Sequence, residues 1–471
     1  MKLSFLNTMS RELEEFKPID EDNIRMYTCG PTVYNYAHIG NFRAYIFEDL
    51  LRRVIKLNGY NITHTMNLTD VDDKTIRDSR AANMSLNDFT AIYKKAFFDD
   101  IDTLKIERAE HYPAATDYIQ EMIDMIQTLI DKGYAYQAED NSVYYSINKF
   151  DDYGKLAKID RKNQRAGVRI KSDEYEKESV SDFALWKAYA PADGDVKWES
   201  PWGLGRPGWH IECSAMSKAT LGEYFDVHTG GIDNMFPHHE DEIAQSEACN
   251  GCKYVNYWLH CAHLQVNGRK MSKSLGNFHT INELTKHGYK GEEIRWVLIA
   301  THYRVGLNFE INSSTLESKS LQEAKTAISR INNFIERVND KAGETSSEET
   351  ATLCKSSKEK FLHGLNDDLN IAEGLAAMFE FIRAVNKTLD DETEVGKDDI
   401  IETMKYFNSI LDVMTFEKKD DIPQGIINLA HERIQARKDK NWARADEIRD
   451  EITAQGFVVE DSPEGPKIKK T

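Results

Sequence analysis

The sequence predicts an α/β fold class: a parallel-sheet domain carrying an insertion, then an all-helical domain, then a small α+β unit. Three observations lead there. "IRMY", "NFRAYIFEDLLRRVIKLNG" and "YNITHTMNLTD" give strand, helix and strand within about 45 residues, the rhythm of a βαβ unit. Beyond about residue 315 apolar residues recur only at helical spacing. A charged, Pro-containing linker, "EKKDDIPQG" (417–425), sets off the last 46 or so residues.

Each element has its own signal. In 41–59, Phe42, Ile46, Leu50 and Val54 fall on one helical face, and Gly59 suits the stop. Residues 60–70 are rich in β-branched and aromatic residues and end in a polar loop, as a strand would. "YIQEMIDMIQTLIDKG" (118–133) is an amphipathic helix, followed by a hairpin turning at Asp140-Asn141. From there to about residue 200 the chain is polar and irregular, as an insertion would be. "EYFDVHTGG" is a strand running into a glycine loop, and "PHHEDEIAQSEA" a helix with Pro237 near its start. "VNYWLHCAHLQV" (255–266) reads as one strand leading into "NGRKMSKSLGN". "AGETSSEETA" (342–351) reads as a polar loop. The tail reads as two short helices and a β-hairpin, with Arg433, Arg437 and Lys440 along one face of the first helix. From Arg433 to Lys470 it holds nine basic and eight acidic residues, near neutrality in a chain of net charge −19.

The totals bound the function. At 471 residues the chain has room for roughly three domains. Six cysteines are too few for a disulfide scaffold and fit a reducing compartment, where thiols ligate metals, react, or fill core. The N-terminus lacks an uninterrupted apolar stretch of signal-peptide type, and no apolar run approaches the ~18 residues that span a bilayer. A soluble cytoplasmic protein with no membrane partner is expected. The acidic balance, 60 Lys+Arg against 79 Asp+Glu, argues against non-specific gripping of nucleic acid but leaves room for a local basic face.

Two short stretches suit a nucleotide. In "TCGPTVYNYAHIGN" (28–41), His38-Ile39-Gly40-Asn41 opens a helix after a strand. Gly40 lets backbone approach phosphate, the helix N-terminus offers N–H groups and partial positive charge, and His38 adds a donor. An ordinary helix start reads the same way, so this tetrapeptide alone decides little. "KMSKS" (270–274) is more specific: Lys270 and Lys273, with Ser272 between, can neutralise charge developing on leaving pyrophosphate. In this order, about 230 residues apart, the two resemble the paired signatures of class I aminoacyl-tRNA synthetases.

The cysteines offer a metal set. Cys29 follows the first strand, Cys213 lies in "GWHIECSAMS", and His238 and Glu242 stand four apart on one helical face. Together they would make a plausible zinc site, with His239, three from Glu242, as rival. Spacing alone does not bring Cys29 and Cys213 together. The C-x-x-C pair Cys249 and Cys252 has no second pair nearby and reads as structural, as do Cys261 in a strand and Cys354 in a polar loop.

"YTCGPTVYNYAHIGNFR", "NLTDVDDK", "PGWHIECSAMS", "DVHTGGIDNMFPHHEDEIAQSEA" and "KMSKSLGN" together resemble the cysteinyl-tRNA synthetases, through essentially the whole chain. The resemblance implies a Rossmann-type catalytic domain over 1–275 with a connective insertion at about 119–200. It implies a stem-contact segment over 276–315, a helical tRNA-binding domain over 316–418, and an anticodon-binding domain over 425–471. It picks Cys29, Cys213, His238 and Glu242 to hold one zinc in the amino-acid pocket, and dismisses the C-x-x-C pair. Zinc prefers thiolate to hydroxyl, so a cysteine substrate enters as a direct ligand. Two thiolates and a carboxylate already leave the zinc site with a single net negative charge, so coordination must expand to take another anion. Thr32, Thr69, Trp209 and His228 would line the pocket; His38, Gly40, Asn41, Lys270, Ser272 and Lys273 would serve ATP with its magnesium; His38, Lys270 and Lys273 would be catalytic. Asn41 departs from the second histidine of the wider class pattern. Arg433, Arg437, Lys440 and Trp442 would touch tRNA, and the enzyme would be a monomer acting on cysteine, ATP and the cysteine tRNA. The alternative is the cysteine ligase of mycothiol synthesis, which shares the catalytic domain but lacks the full tail.

Overall fold

A computed structural model describes residues 2–159, 182–271, 276–391, 395–416, 423–462 and 465–470. A hairpin, β1 (Ser4–Asn7) and β2 (Glu12–Glu15), precedes β3 (Ile24–Thr28), α1 (Ile39–Leu57), β4 (Ile62–Met66), α2 (Asp73–Ala81) and α3 (Leu86–Thr103). Helix α4 (Ile119–Asp131) leads into β5 (Ala135–Gln137), β6 (Val143–Tyr145), β7 (Phe183–Ala188) and β8 (Gly205–Pro207). Then come α5 (Trp209–Leu221), β9 (Phe225–Gly231), α6 (His238–Asn250), β10 (Val255–Cys261), β11 (Leu264–Val266) and β12 (Arg269–Lys270). Helices α7 (Ile281–Lys286) and α8 (Gly291–Ile299) and strand β13 (Leu307–Phe309) complete this part.

The central sheet has order β10-β9-β3-β4, all parallel. From β3 the chain crosses through α1 to β4 on one side; from β9 it crosses through α6 to β10 on the other. Strand order therefore reverses between β3 and β9, the place where open α/β sheets bind ligands at their C-terminal ends. Both faces are covered, as a parallel sheet requires. Met26 packs into the core shared with α1, and its neighbour Tyr27 packs on the other face with Ile211 of α5 and Ile243 of α6.

Three local expectations differ from the structure. The insertion is more regular than its polarity suggests, since β5-β6-β7-β8 form an antiparallel sheet that reaches Pro207. Residues 255–266 split into β10 and β11, which belong to different sheets, because Ala262 and His263 turn the chain between them. Residues 342–351 are not all loop: Ser347 caps α10 (Glu348–Asn366) with its side chain, and Cys354 is buried on that helix.

Helices α9 (Lys319–Lys341), α10, α11 (Ile371–Asp391) and α12 (Lys397–Leu411) pack through one apolar cluster continuous with the core beneath α1. A charged joint accompanies it. Arg295 of α8 is fully buried and donates to Asp49 of α1 at 2.5 Å, to Leu104 O at 3.1 Å and to Leu411 O at 2.6 Å. Burial pushes the Asp49 carboxyl up, but Arg295 and Arg53 outweigh it and hold the group below the usual range. The tail, α13 (Gln424–Lys438), α14 (Trp442–Ala454), β14 (Phe457–Ser462) and β15 (Gly465–Lys470), has its own small core around Ile426, Ile448 and Phe457.

Removing Arg295 leaves the fully buried Asp49 carboxylate with Arg53 as its only cationic partner, at 2.8 Å, among the described residues. Arg295→Met is expected to lower stability by about 3–5 kcal/mol, with part of the loss restored when Asp49→Asn is added. Urea midpoints of the single and double variants measure this, and additive losses would contradict it.

Candidate active site

The site is assembled at the C-terminal ends of β3, β4 and β9. Cys29 N–H donates to Thr229 O at 3.3 Å, continuing the β3–β9 pairing one residue past the strand. Gly30 N–H donates to Asn67 Oδ1 at 2.9 Å, and a Cβ at residue 30 would lie 1.8 Å from Asn67 O, so only glycine fits. Val33 N–H to Thr69 O (3.0 Å) and Thr69 N–H to Pro31 O (3.1 Å) place Thr32 beside Thr69. The Thr69 hydroxyl donates to Glu212 at 2.9 Å and accepts from Asn67 at 3.2 Å.

From there α5 and α6 bring in groups that could hold a metal ion. Single atoms of Cys29, Cys213, His238 and Glu242 all lie within 4.8 Å of one another, as do those of an overlapping set, Cys29, His228, His239 and Glu242. The first set is the less committed. Glu242 Oε1 is buried without a hydrogen-bond partner, 3.1 Å from His238 Nε2, which is 3.4 Å from Cys213 Sγ. Nδ1 of His238 meets His210 Nδ1 at 2.9 Å, and Trp209 stacks on the His238 ring at 4.2 Å. That outer contact fixes the ring and directs Nε2 inward. In the other set, His228 Nε2 is already bonded to Glu242 Oε2 (2.9 Å), which also accepts from Tyr254 (3.1 Å). His239 spans Cys29 Sγ (3.2 Å) and His260 (2.9 Å).

Burial and mutual proximity set the protonation of this cluster. Contact with Cys213, then burial, pushes the Cys29 thiol well above its usual range. The same contact draws Cys213 down, yet burial and Glu242 carry it above normal. Burial, reinforced by His210 and His228, holds His238 neutral with its pKa well below the usual value. Two thiols, one neutral imidazole and an orphaned carboxylate oxygen suit a divalent, sulfur-accepting metal.

The nucleotide motif lies at the start of α1, nine residues after Cys29. His38 and Asn41 form a reciprocal capping box: Asn41 N–H donates to His38 Nδ1 (3.2 Å), and His38 N–H to Asn41 Oδ1 (3.0 Å). Because Nδ1 accepts, the ring proton sits on Nε2, a donor for an anion. Asn41 thus serves His38 from a position where the class pattern has histidine. Gly40 leaves room for this ring, since a Cβ there would meet it at 2.9 Å. The segment following "KMSKS" returns to this turn: Ile39 N–H donates to His279 O at 2.9 Å, and Phe278 meets the His38 ring edge-on at 5.0 Å. Lys270 is exposed at the end of β12, and Asn277 Nδ2 donates to its carbonyl at 3.0 Å. Ser272 and Lys273 lie outside the described residues.

The remaining positions are spread more widely. His228 is fully buried behind Glu242 rather than facing open space. In the tail, Arg433 is 8% exposed, and Lys440 lies beyond α13 with φ of 56°, so the three cations do not share one helix face. Trp442 is 57% exposed, with the Arg437 guanidinium 6.0 Å from its ring centroid. Sequence reasoning missed His210, Tyr254, Asn67 and Glu212, which touch the named groups from behind. Only His210, three residues before Cys213 on the same helix, had a spacing that could have flagged it.

Comparison with known proteins identifies related chains over the whole length. Residues 15–325 match the class I (C) tRNA synthetase catalytic domain, 360–416 the DALR domain, and 419–466 the cysteinyl-tRNA ligase anticodon binding domain. The cysteine–tRNA ligase of Protochlamydia amoebophila is 50% identical over 475 residues, covering 99% of this chain and 98% of that protein. The chain belongs to the cysteinyl-tRNA synthetase family. The Brachyspira hyodysenteriae cysteine–tRNA ligase is 49% identical, covering 99% of each. Among solved structures, Mycobacterium tuberculosis methionyl-tRNA synthetase with methionyl-adenylate has a TM-score of 0.61 at 13% identity, covering 83% of this chain and 88% of that one. The Agrobacterium radiobacter LeuRS–tRNA–LeuAMS complex gives 0.61 at 11%, covering 84% and 85%. At such identities these two share the fold of the class I synthetases. Among the described residues no helix is long and apolar enough to cross a membrane.

Burial lowers the His38 pKa to about 4 from its ordinary 6.5. Its contribution to stability is therefore complete above pH 6.5 and is lost as pH falls from there toward 4. The His38 ring signals in NMR are expected to stay at their neutral positions from pH 8 to 5.5; a midpoint near 6.5 would contradict the half-buried neutral ring.

Proposed function

We propose that this synthetase joins L-cysteine to its tRNA through a cysteinyl-adenylate, selecting cysteine by thiolate coordination to zinc held by Cys29, Cys213, His238 and Glu242. The observation that carries the zinc reading is that these four donors converge, with Glu242 Oε1 unpartnered, on the turn that leads to His38. When bound, the metal supplies a Lewis-acid site that prefers thiolate over hydroxyl. The chain's own groups do the positioning. Trp209 and His210 hold the His238 ring, and His228 with Tyr254 holds the Glu242 carboxylate by its other oxygen. Thr32, three residues beyond Cys29 and paired with Thr69, would border the bound cysteine.

No side chain need act as nucleophile. The substrate carboxylate attacks the α-phosphate of ATP and pyrophosphate leaves; the tRNA's terminal ribose hydroxyl then attacks the adenylate carbonyl and AMP leaves. His38 Nε2–H and the α1 N-terminus, opened by Gly40, meet phosphate oxygens, and Lys270 and Lys273 offset charge on the departing pyrophosphate. ATP brings its magnesium. Half-buried Arg437 and exposed Trp442 form the pair suited to a nucleotide in the tail, with Lys440 nearby and Arg433 supporting the helix from within. On this reading the enzyme acts as a cytoplasmic monomer. The match of 419–466 to an anticodon-binding domain favours tRNA over an amino-sugar acceptor.

Purified protein is expected to hold about one zinc per chain and to catalyse cysteine-dependent ATP–pyrophosphate exchange. Serine should support exchange less well by several kcal/mol, beyond the ~1–3 kcal/mol that one methylene provides. Metal analysis and exchange assays on Cys213→Ala check this; undiminished cysteine preference in that variant would sink the zinc reading. Lys273→Ala should slow adenylate formation on the order of 10²-fold with zinc content intact. Charging of a cysteine tRNA transcript, set against cysteine transfer to the amino-sugar, decides the acceptor.

A further inference from the structure

Beside the His38 turn the protein leaves a large aromatic side chain in solvent. Tyr36, two residues before His38, is 45% exposed. It is not loose: its ring meets Tyr93 of α3 edge-to-face, with centroids 5.3 Å apart and planes at 79°. Tyr93 is braced in turn by Phe89, a buried ring at 5.1 Å. Two residues earlier Tyr34 carries the Lys74 ammonium 5.2 Å from its ring centroid. The result is a braced aromatic step with a cation beside it, at the rim of the turn assigned to the nucleotide.

We propose that Tyr36, supported by Tyr93, is a stacking platform for an unpaired base at the 3′ end of the tRNA, with Lys74 near its phosphates. This rests on the reading of the chain as a tRNA ligase. The terminal ribose hydroxyl must reach an adenylate lying between Cys29 and His38, so the unpaired nucleotides pass over the residues bordering that turn. An exposed ring held from one side offers a π-face, which every base can use without sequence readout. Stacking also suits a chain of net charge −19, because it needs no broad basic surface.

The experiment compares Tyr36→Ala, Tyr36→Leu and Tyr36→Phe in the full-length enzyme, using a cysteine tRNA transcript and the same transcript lacking its unpaired 3′ nucleotides. Tyr36→Ala and Tyr36→Leu should lower kcat/KM for tRNA about 10-fold or more, with cysteine-dependent exchange within about twofold of wild type. Tyr36→Phe should restore charging. Wild type should bind the intact transcript more tightly than the shortened one, and Tyr36→Ala should remove most of that difference at 50 and at 200 mM salt alike. Equal weakening for both transcripts, an unchanged kcat/KM, or a loss confined to the KM for ATP in exchange would overturn the platform. Wild type that fails to exchange or to charge tRNA at all would instead overturn the ligase reading.

Discussion

Everything at the site depends on the register of β3 against β9. Tyr27 lies opposite His228 and Thr28 opposite Thr229, and the pairing continues into the Cys29 N–H bond to Thr229 O. A slip of one residue would turn Tyr27 and Met26 to the wrong faces and rotate Cys29 away from α5 and α6. The register is held from both sides: Met26 sits in the core over α1, and Tyr27 in the core under α5. The position of the Cys29 sulfur is thus determined by ordinary hydrophobic burial on the two neighbouring strand residues.

The same burial makes the site costly in charge. Glu48 of α1 is fully buried; its Oε1 accepts from Thr229 at 3.1 Å and its Oε2 has no partner, so burial raises its pKa well above normal. Glu212 likewise keeps one orphaned oxygen while the other takes the Thr69 hydroxyl. These acids are most easily accommodated as neutral groups, since an unpaired carboxylate in such surroundings costs several kcal/mol. The Cys29–Cys213–His238–Glu242 cluster cannot be relieved in that way without wasting its donors. A divalent cation held there would relieve it directly, whereas protonated thiols leave the Glu242 Oε1 atom without a hydrogen bond.

Much of this was legible in the sequence, for identifiable reasons. The βαβ start showed because α1 and β4 have strong, distinct periodicities, and the motifs around Cys29, His38, Cys213 and His238 are dense enough to identify a family. What failed were features set by distant contacts. Residues 255–266 look uniformly β-like, and only their pairing with different strands divides them. Cys354 lies in a polar stretch, yet α10 turns it into the helical core. Arg433 counts as a cation by composition, but its place beside Ala430 and Ala436 on the inner face of α13 removes it from solvent. The choice between His238 and His239 was open from spacing. It turns on whether each ring's inward nitrogen meets the Cys213–Glu242 side or the Cys29–His260 side, which no local pattern encodes.

One helix then ties the parts together. At its first turn α1 carries the His38 capping box; near its middle Glu48 takes a hydrogen bond from Thr229, beside His228 on β9, and Asp49 receives the buried Arg295. Arg295 also grips the carbonyls that end α12, while Arg53, one turn on from Asp49, donates to Ser409 O at 3.0 Å. Nucleotide turn, sheet and helical domain are therefore fixed to a single rigid rod of about 28 Å. A displacement of the helical domain would have to break a buried ion pair or carry α1 with it. Because the side chains along α1 are buried over most of its length, both courses are resisted, and the helical domain and the His38 turn keep one relation. The α12–α1 joint thus ties the helical domain to the helix whose first turn carries His38.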